Sequence, residues 1–255
     1  MSPVYPTPSL ARVATRCQDD VVIPADTLDD AAVLWSDGPR EGKPLLVLLH
    51  GYGSDERDLF GLVPHLPEAF AIAAVRAPLA PPWPSPGYSW YPIDGLDGRS
   101  AQPTTDAAAR LVAWIDAHTD ADTIGLLGFS QGAAVALQAL RLHPERFAFV
   151  VGLSGYATPG ALPGDAALAQ TRPPVFWGRG TADTVIPAPL VAHTIEWLPT
   201  HADLSGRVYP GLGHSVSAQE LADVRQFLDL RLQAQAAAPP AEGGTPPSNA
   251  QGDPS

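Results

Sequence analysis

A mainly parallel, doubly wound α/β sheet with helices on both faces is the fold class this sequence predicts. Strand-like and helix-like stretches alternate along most of the chain, which is the order that lays strands in parallel with helical crossovers. The run Leu45-Leu46-Val47-Leu48-Leu49 is apolar at every residue, not at every second one, so it needs cover on both faces. With 255 residues and 45% hydrophobic content, one large domain can bury a substantial core.

Residues 1–10 carry three prolines and are expected to form a flexible N-terminal arm. The domain proper is expected over residues 11–232. Ala11 to Ile23 and Ala31 to Trp35 are β-prone runs broken by Asp19-Asp20, Pro24 and Asp37-Gly38, as in an antiparallel pair at a sheet edge. After Leu45 to Leu49 comes His50-Gly51-Tyr52-Gly53, then a short helix over Leu59 to Leu66 and a strand over Ala71 to Val75. Leu79 to Pro103 is too rich in proline and glycine for a regular element, yet it holds Tyr88, Trp90 and Tyr91. Thr104 to Ala117 reads as an amphipathic helix with Leu111, Val112, Trp114 and Ile115 on its buried side.

Thr123 to Phe129 is the next strand and Gln131 to Leu142 the next helix, with Ala134, Leu137 and Leu140 at helical spacing. Phe147 to Ser154 is a further strand, and Tyr156 to Arg172 an irregular connection. Pro174 to Trp177 opens a strand, Pro187 to Trp197 is a helix, Gly206 to Tyr209 is the last strand and Ala218 to Leu232 the closing helix. Residues 233–255 are mostly Ala, Pro, Gly, Ser and Gln, a composition that cannot offset the entropy of ordering, so a disordered tail is expected.

The formal net charge of −12 argues against nucleic acid or an anionic membrane surface as a partner, because both attract positive faces. Cys17 is the only cysteine, which excludes an internal disulfide and suits a reducing compartment. Residues 1–16 lack the apolar core of a signal peptide and no run is long enough to span a bilayer, so a cytoplasmic protein without integral membrane association is expected. No metal-binding or nucleotide-binding motif is present, and no cofactor is expected.

Gly128-Phe129-Ser130-Gln131-Gly132 fits the pattern G-x-S-x-G between an expected strand and an expected helix. Seen alone, the pentapeptide also fits a plain loop. Set between strand and helix, it describes a sharp turn that lifts the Ser130 oxygen above the sheet, with the helix N-terminus aimed at it. A serine nucleophile needs a base, a carboxylate that orients the base, and donors for the developing oxyanion. Ser130, Asp183 and His214 occur in the order nucleophile, acid, histidine, with Asp183 and His214 each following a strand through a glycine-bearing loop. Among the other histidines, His50 suits a structural hydrogen bond better than a base. The oxyanion donors are expected to be the backbone N–H groups of Gln131 and Tyr52, with Gly53 as the alternative to Tyr52.

Leu49-His50-Gly51-Tyr52-Gly53-Ser54-Asp55-Glu56, Ser89-Trp90-Tyr91, the Ser130 pentapeptide, Gly180-Thr181-Ala182-Asp183-Thr184-Val185-Ile186-Pro187 and Gly213-His214 together resemble the phospholipase/carboxylesterase family over about residues 30 to 232. The resemblance implies a compact α/β-hydrolase fold without a large cap domain, a Ser-His-Asp triad, and small-molecule ester or thioester substrates. Thioesterase members tend to carry Gly-Asp after the His-Gly-x segment, where this chain has Gly53-Ser54, which leans towards the bacterial esterase branch. The expected activity is hydrolysis of short to medium acyl esters, with Trp90 and Tyr91 placed to flank the acyl group, although aromatic residues in a long loop more often pack within it. Lysophospholipid or acyl-protein thioester cleavage is the alternative, and a hydrolase-fold protein that binds without turnover is a third. A monomer or a homodimer is expected.

Overall fold

The computed structural model describes residues 27–80, 86–93 and 101–237. The arm, the β-prone run Ala11 to Ile23 and residues 238–255 lie outside the described residues.

The strands are β1 (Leu34–Trp35), β2 (Leu45–Leu49), β3 (Ala71–Val75), β4 (Ile124–Phe129), β5 (Phe149–Leu153), β6 (Pro174–Gly180) and β7 (Asp203–Tyr209). They form one seven-stranded sheet in the order β1-β3-β2-β4-β5-β6-β7. Only β1 runs antiparallel, pairing with β3, and all the other neighbours are parallel. The helices are α1 (Glu56–Phe60), α2 (Gln102–His118), α3 (Gln131–Leu142), α4 (Asp165–Thr171), α5 (Ala188–His201) and α6 (Ala218–Ala237). Strands β2, β3 and β5 are buried at every residue because helices cover both faces. On one face Leu111, Ile115, Val135 and Leu140 pack against Val47, Leu126 and Val150. On the other, Leu59, Val224, Phe227 and Leu228 pack against Leu46, Leu127, Phe149 and Phe176. The chain leaves β2 towards one sheet edge and β4 towards the other. Loops that diverge this way open a crevice beyond the strand carboxyl ends, where α/β sheets bind their ligands.

Several boundaries differ from the sequence expectation for local reasons. The first helix starts at Glu56 and not at Leu59, because the Asp55 carboxylate accepts the Arg57 N–H at 2.9 Å and caps it, and it ends at Gly61. Asp30–Ala32 is a 3-10 turn capped by Asp29, so the edge strand shrinks to two residues. The connection 156–172 holds a helix, α4, which its mixed composition concealed; Asp165 there pairs with the fully buried Arg141. Strand β7 begins three residues earlier than expected, at Asp203, since an edge strand tolerates the exposed polar residues that hid it. The closing helix continues to Ala237, five residues into the expected tail, and those residues are alanine and glutamine, which favour helix.

The start of α6 carries a titrating group. Ser217 Oγ accepts the Glu220 N–H at 3.1 Å, one half of a capping box. The Glu220 side chain is fully buried and neither oxygen has a hydrogen-bond partner among the described residues. Burial pushes its carboxyl up to about 7, Asp223 adds to the rise, and the Ser217 N–H, outside hydrogen-bond geometry, pulls the other way without offsetting it. The unfolded chain releases this proton near the ordinary value of 4.5, so the folded state binds more protons between there and about 7. Stability is therefore fully present at low pH on this account and falls as pH rises through about 7. Glu220→Gln is expected to stabilise the protein at pH 8 by about 2–3 kcal/mol relative to wild type and to leave it nearly unchanged at pH 5, read from urea unfolding at the two pH values.

Candidate functional site

The parallel register sets Leu49 beside Gly128, so the loops after β2 and β4 leave the sheet as neighbours. At the second of these the chain turns at once from β4 into α3. Ser130 sits at the turn with φ 53° and ψ −115°, a conformation that a non-glycine residue adopts only under strain. The surroundings impose it. The Ser130 N–H donates to Leu153 O at 2.8 Å, its carbonyl accepts the Ala134 N–H at 3.1 Å, and Gly132 lies so close to the end of β2 that a Cβ would overlap the carbonyl oxygens of Leu49 and His50. A Cβ on Gly128 would overlap the Gly132 backbone in the same way.

The loops that end β6 and β7 are stitched together before their side chains meet. The Thr181 N–H donates to Tyr209 O at 3.0 Å, the Ala182 N–H to Leu212 O at 2.9 Å, and the Gly211 N–H to Thr181 Oγ1 at 2.8 Å. This brings Asp183 Oδ2 to 2.8 Å from His214 Nδ1, and His214 Nε2 to 2.9 Å from Ser130 Oγ. The tautomer that satisfies both bonds has Nδ1–H donating to the carboxylate and Nε2 accepting the serine O–H. Phe129 packs on the imidazole at 4.9 Å between ring centroids. Burial opposes ionisation of Asp183, but bonds from His214 and from the N–H groups of Val185 and Ile186 outweigh it and hold the carboxyl below its ordinary value. A carboxylate that orients an imidazole so that Nε2 faces Ser130 Oγ is the arrangement needed to take a proton from Ser130.

The Gln131 N–H is the first of α3 and points from the helix N-terminus. In the β2 loop the Gly53 N–H donates to Tyr88 O at 2.9 Å, which removes Gly53 as an oxyanion donor. Among the described residues the Tyr52 N–H donates to no acceptor. His50 is buried and holds this loop: its Nδ1–H donates to Gly51 O at 2.8 Å and its Nε2 accepts the Ala77 N–H at 3.0 Å. Burial lowers its pKa, which keeps it in the neutral form that both bonds require.

Trp90 and Tyr91, expected to flank the acyl group or to pack within their loop, are held in packing contacts. Both are buried, at 0% and 2% exposure. The Trp90 indole N–H donates to His50 O at 2.9 Å, and the Tyr91 and Tyr156 hydroxyls are 2.8 Å apart. A polar tip on an apolar ring suits such buried anchoring, and nothing in a single sequence separates it from a ligand wall. Sequence reasoning missed the partner that makes them a scaffold. Gln131 Oε1 accepts the Trp90 N–H at 2.8 Å and its Nε2 donates to Tyr91 O at 2.7 Å, so segment 88–91 ties the elbow to the β2 loop. A buried Glu56 gripping Arg76 through two 2.6 Å bonds, with Arg76 under the Tyr88 ring at 4.6 Å, braces the same segment. The signal for Gln131 was a polar side chain on a helix otherwise apolar through its first turns. Gln131→Ala is expected to lower kcat for an ester about 10- to 100-fold with a smaller change in KM, since it loosens the β2 loop without touching the triad; steady-state kinetics checks this.

Among the described residues, no group of three or more His, Cys, Asp or Glu side chains could hold a metal ion, and no helix is long and apolar enough to cross a membrane.

Known proteins resemble the chain throughout this region. An acyl-protein thioesterase 1 from Debaryomyces hansenii is 29% identical over 214 residues, covering 74% of this chain and 92% of that protein. A carboxylesterase structure from Mesorhizobium loti superposes with a TM-score of 0.62 at 25% identity, covering 74% of this chain and 90% of that one. The structure of Zea mays acyl-protein thioesterase 2 superposes with a TM-score of 0.67 at 22% identity over 78% and 98% of the two chains, a likeness of fold. The phospholipase/carboxylesterase family model matches residues 30–232, and with a seven-stranded sheet and no large cap among the described residues the chain belongs to that family.

Proposed function

We propose that this chain is a serine carboxylesterase that hydrolyses short to medium acyl esters through an acyl-enzyme formed on Ser130. The observation that carries the reading is the unbroken run of hydrogen bonds from Asp183 through His214 to Ser130 Oγ. In the first step Nε2 of His214 takes the Ser130 proton as Oγ attacks the ester carbonyl, and the N–H groups of Gln131 and Tyr52 receive the oxyanion. Collapse of the tetrahedral intermediate expels the alcohol, which takes its proton from His214. Water then enters with His214 again as base, cleaves the acyl-enzyme and releases the carboxylic acid. Asp183 stays ionised throughout and stabilises the imidazolium that forms in each half-reaction.

The short connection 156–172, which carries only the seven-residue α4, supports esters of modest length, because among the described residues it places no cap over the strand ends. The Debaryomyces hansenii relative favours a second reading, an acyl-protein thioesterase. A cytoplasmic location belongs to the same proposal and rests on the single Cys17. The test is turnover of p-nitrophenyl acetate, butyrate and octanoate against a lysophospholipid and a palmitoylated peptide. We expect the highest kcat/KM on the butyrate or octanoate ester. A preference for the palmitoylated peptide establishes the second reading instead, and no turnover of any of them rejects both.

A further inference from the structure

A pocket of about 330 Å³ lies behind the acid loop, between the carboxyl ends of β5 and β6 and the helix α5. It is at the small end of the range of about 300–1,000 Å³ for small-molecule sites. Ser130 and His214 are not among its lining residues. Its wall is largely apolar, made by Trp177 from β6, Ile186 from the acid loop and Val191 from α5, with the half-exposed Ile195 at its rim.

Two polar groups in this wall lack hydrogen-bond partners among the described residues. Ser154 is 1% exposed, and its Oγ makes no hydrogen bond among the described residues. Its backbone is held at φ 47°, which for a serine is strained. Arg179 lies two residues after Trp177 on β6, hence on the same face, and its guanidinium carbon is 5.8 Å from the Trp177 ring centroid. Its buried Nε donates to nothing, and among the described residues it has no carboxylate within ion-pair distance. Arg76, half-buried like Arg179, grips Glu56, and the fully buried Arg141 grips Asp165. Arg179 meets the Trp177 ring and no carboxylate among the described residues, which leaves its positive charge open to an anion in the pocket.

We propose that this pocket binds an aliphatic monocarboxylate, its head on the Arg179 guanidinium and its chain along Trp177, Val191 and Ile195. Charge selects the head group. Asp183 also lines the pocket and stays ionised, so a second negative charge on the ligand is opposed and a phosphate dianion is disfavoured against a carboxylate. The Asp183 oxygens themselves are occupied by His214 and by the N–H groups of Val185 and Ile186, which leaves Arg179 as the pairing group. Ligand bound here rests on the back of the Asp183 loop. The binding does not require Ser130 to react.

The test is isothermal titration of sodium octanoate into the full-length Ser130→Ala protein, so that esterase turnover is not read. One saturable site is expected, at least tenfold weaker once Arg179→Gln is added and at least tenfold weaker for octanamide, which keeps the chain and lacks the charge. Amide chemical-shift changes on adding octanoate to the Ser130→Ala protein, expected at Ser154, Gly155, Arg179 and Val191, give a readout that needs no change at Arg179. Equal affinity for octanamide, equal affinity in the Arg179→Gln protein, shifts centred on Tyr52 and Gln131 instead, or no saturable binding at millimolar octanoate would each overturn the proposal. Failure here leaves the esterase reading intact, and failure of that reading leaves this result unaffected.

Discussion

Ser130→Ala is expected to lower kcat/KM for p-nitrophenyl butyrate by about 10⁴-fold or more while leaving the fold intact, because it removes the only atom placed to attack and keeps everything that places it. The Ser130 backbone, not its side chain, makes the bonds to Leu153 and Ala134. Among the described residues its Oγ bonds only to His214 Nε2. Circular dichroism and the urea midpoint should therefore match wild type, and the relief of a strained position filled by a smaller side chain is slight. Asp183→Asn should fall nearly as far, about 10⁴-fold, because an amide can donate to Nδ1 and hold the ring in the tautomer that cannot accept the serine proton. A Ser130→Ala protein that kept wild-type turnover would place the chemistry elsewhere.

The second large effect is on stability and comes from two residues further on. Gly132→Val is expected to destabilise the protein by about 3 kcal/mol or more, since its Cβ would overlap the backbone carbonyl oxygens of Leu49 and His50, which cannot rotate away as a side chain can. The close approach of α3 to the end of β2 is also what sets the loops after β2 and β4 side by side, so on the proposed mechanism surviving folded protein should lose activity as well. Gly206→Ala is the control: a Cβ there meets only the Leu204 side chain at 3.7 Å, and its stability should lie within about 1 kcal/mol of wild type. Urea unfolding of the three proteins decides it. Equal midpoints would mean that the elbow is not built by this contact.

What could be read from the residues follows from how local each signal is. Leu45–Leu49 and Ala71–Val75 were legible to the residue, because an unbroken apolar run has one explanation in a sheet covered on both faces. The spacing of Ser130, Asp183 and His214 was legible because strand-end loops must converge on one crevice. The helix over Asp165–Thr171 was not, as its length and mixed composition resemble a loop and its hold on the protein is the distant Arg141. For Trp90 and Tyr91 the sequence left an acyl wall and packing within the loop side by side. Their rings are buried anchors, and this depends on contacts to His50 and Tyr156 that lie 40 and 65 residues away along the chain. Arg179 carried no signal at all, since an unmatched charge becomes visible only when its surroundings are known.

The account's central claim is that His214 and Asp183 make Ser130 an activated nucleophile. The most direct measurement is the site of modification after brief exposure of the wild-type protein to a fluorophosphonate, read by peptide mass spectrometry. The account predicts a single adduct on Ser130, formed within minutes, and at least a hundredfold slower labelling in His214→Ala. An unlabelled Ser130, or labelling at an undiminished rate without His214, would contradict it.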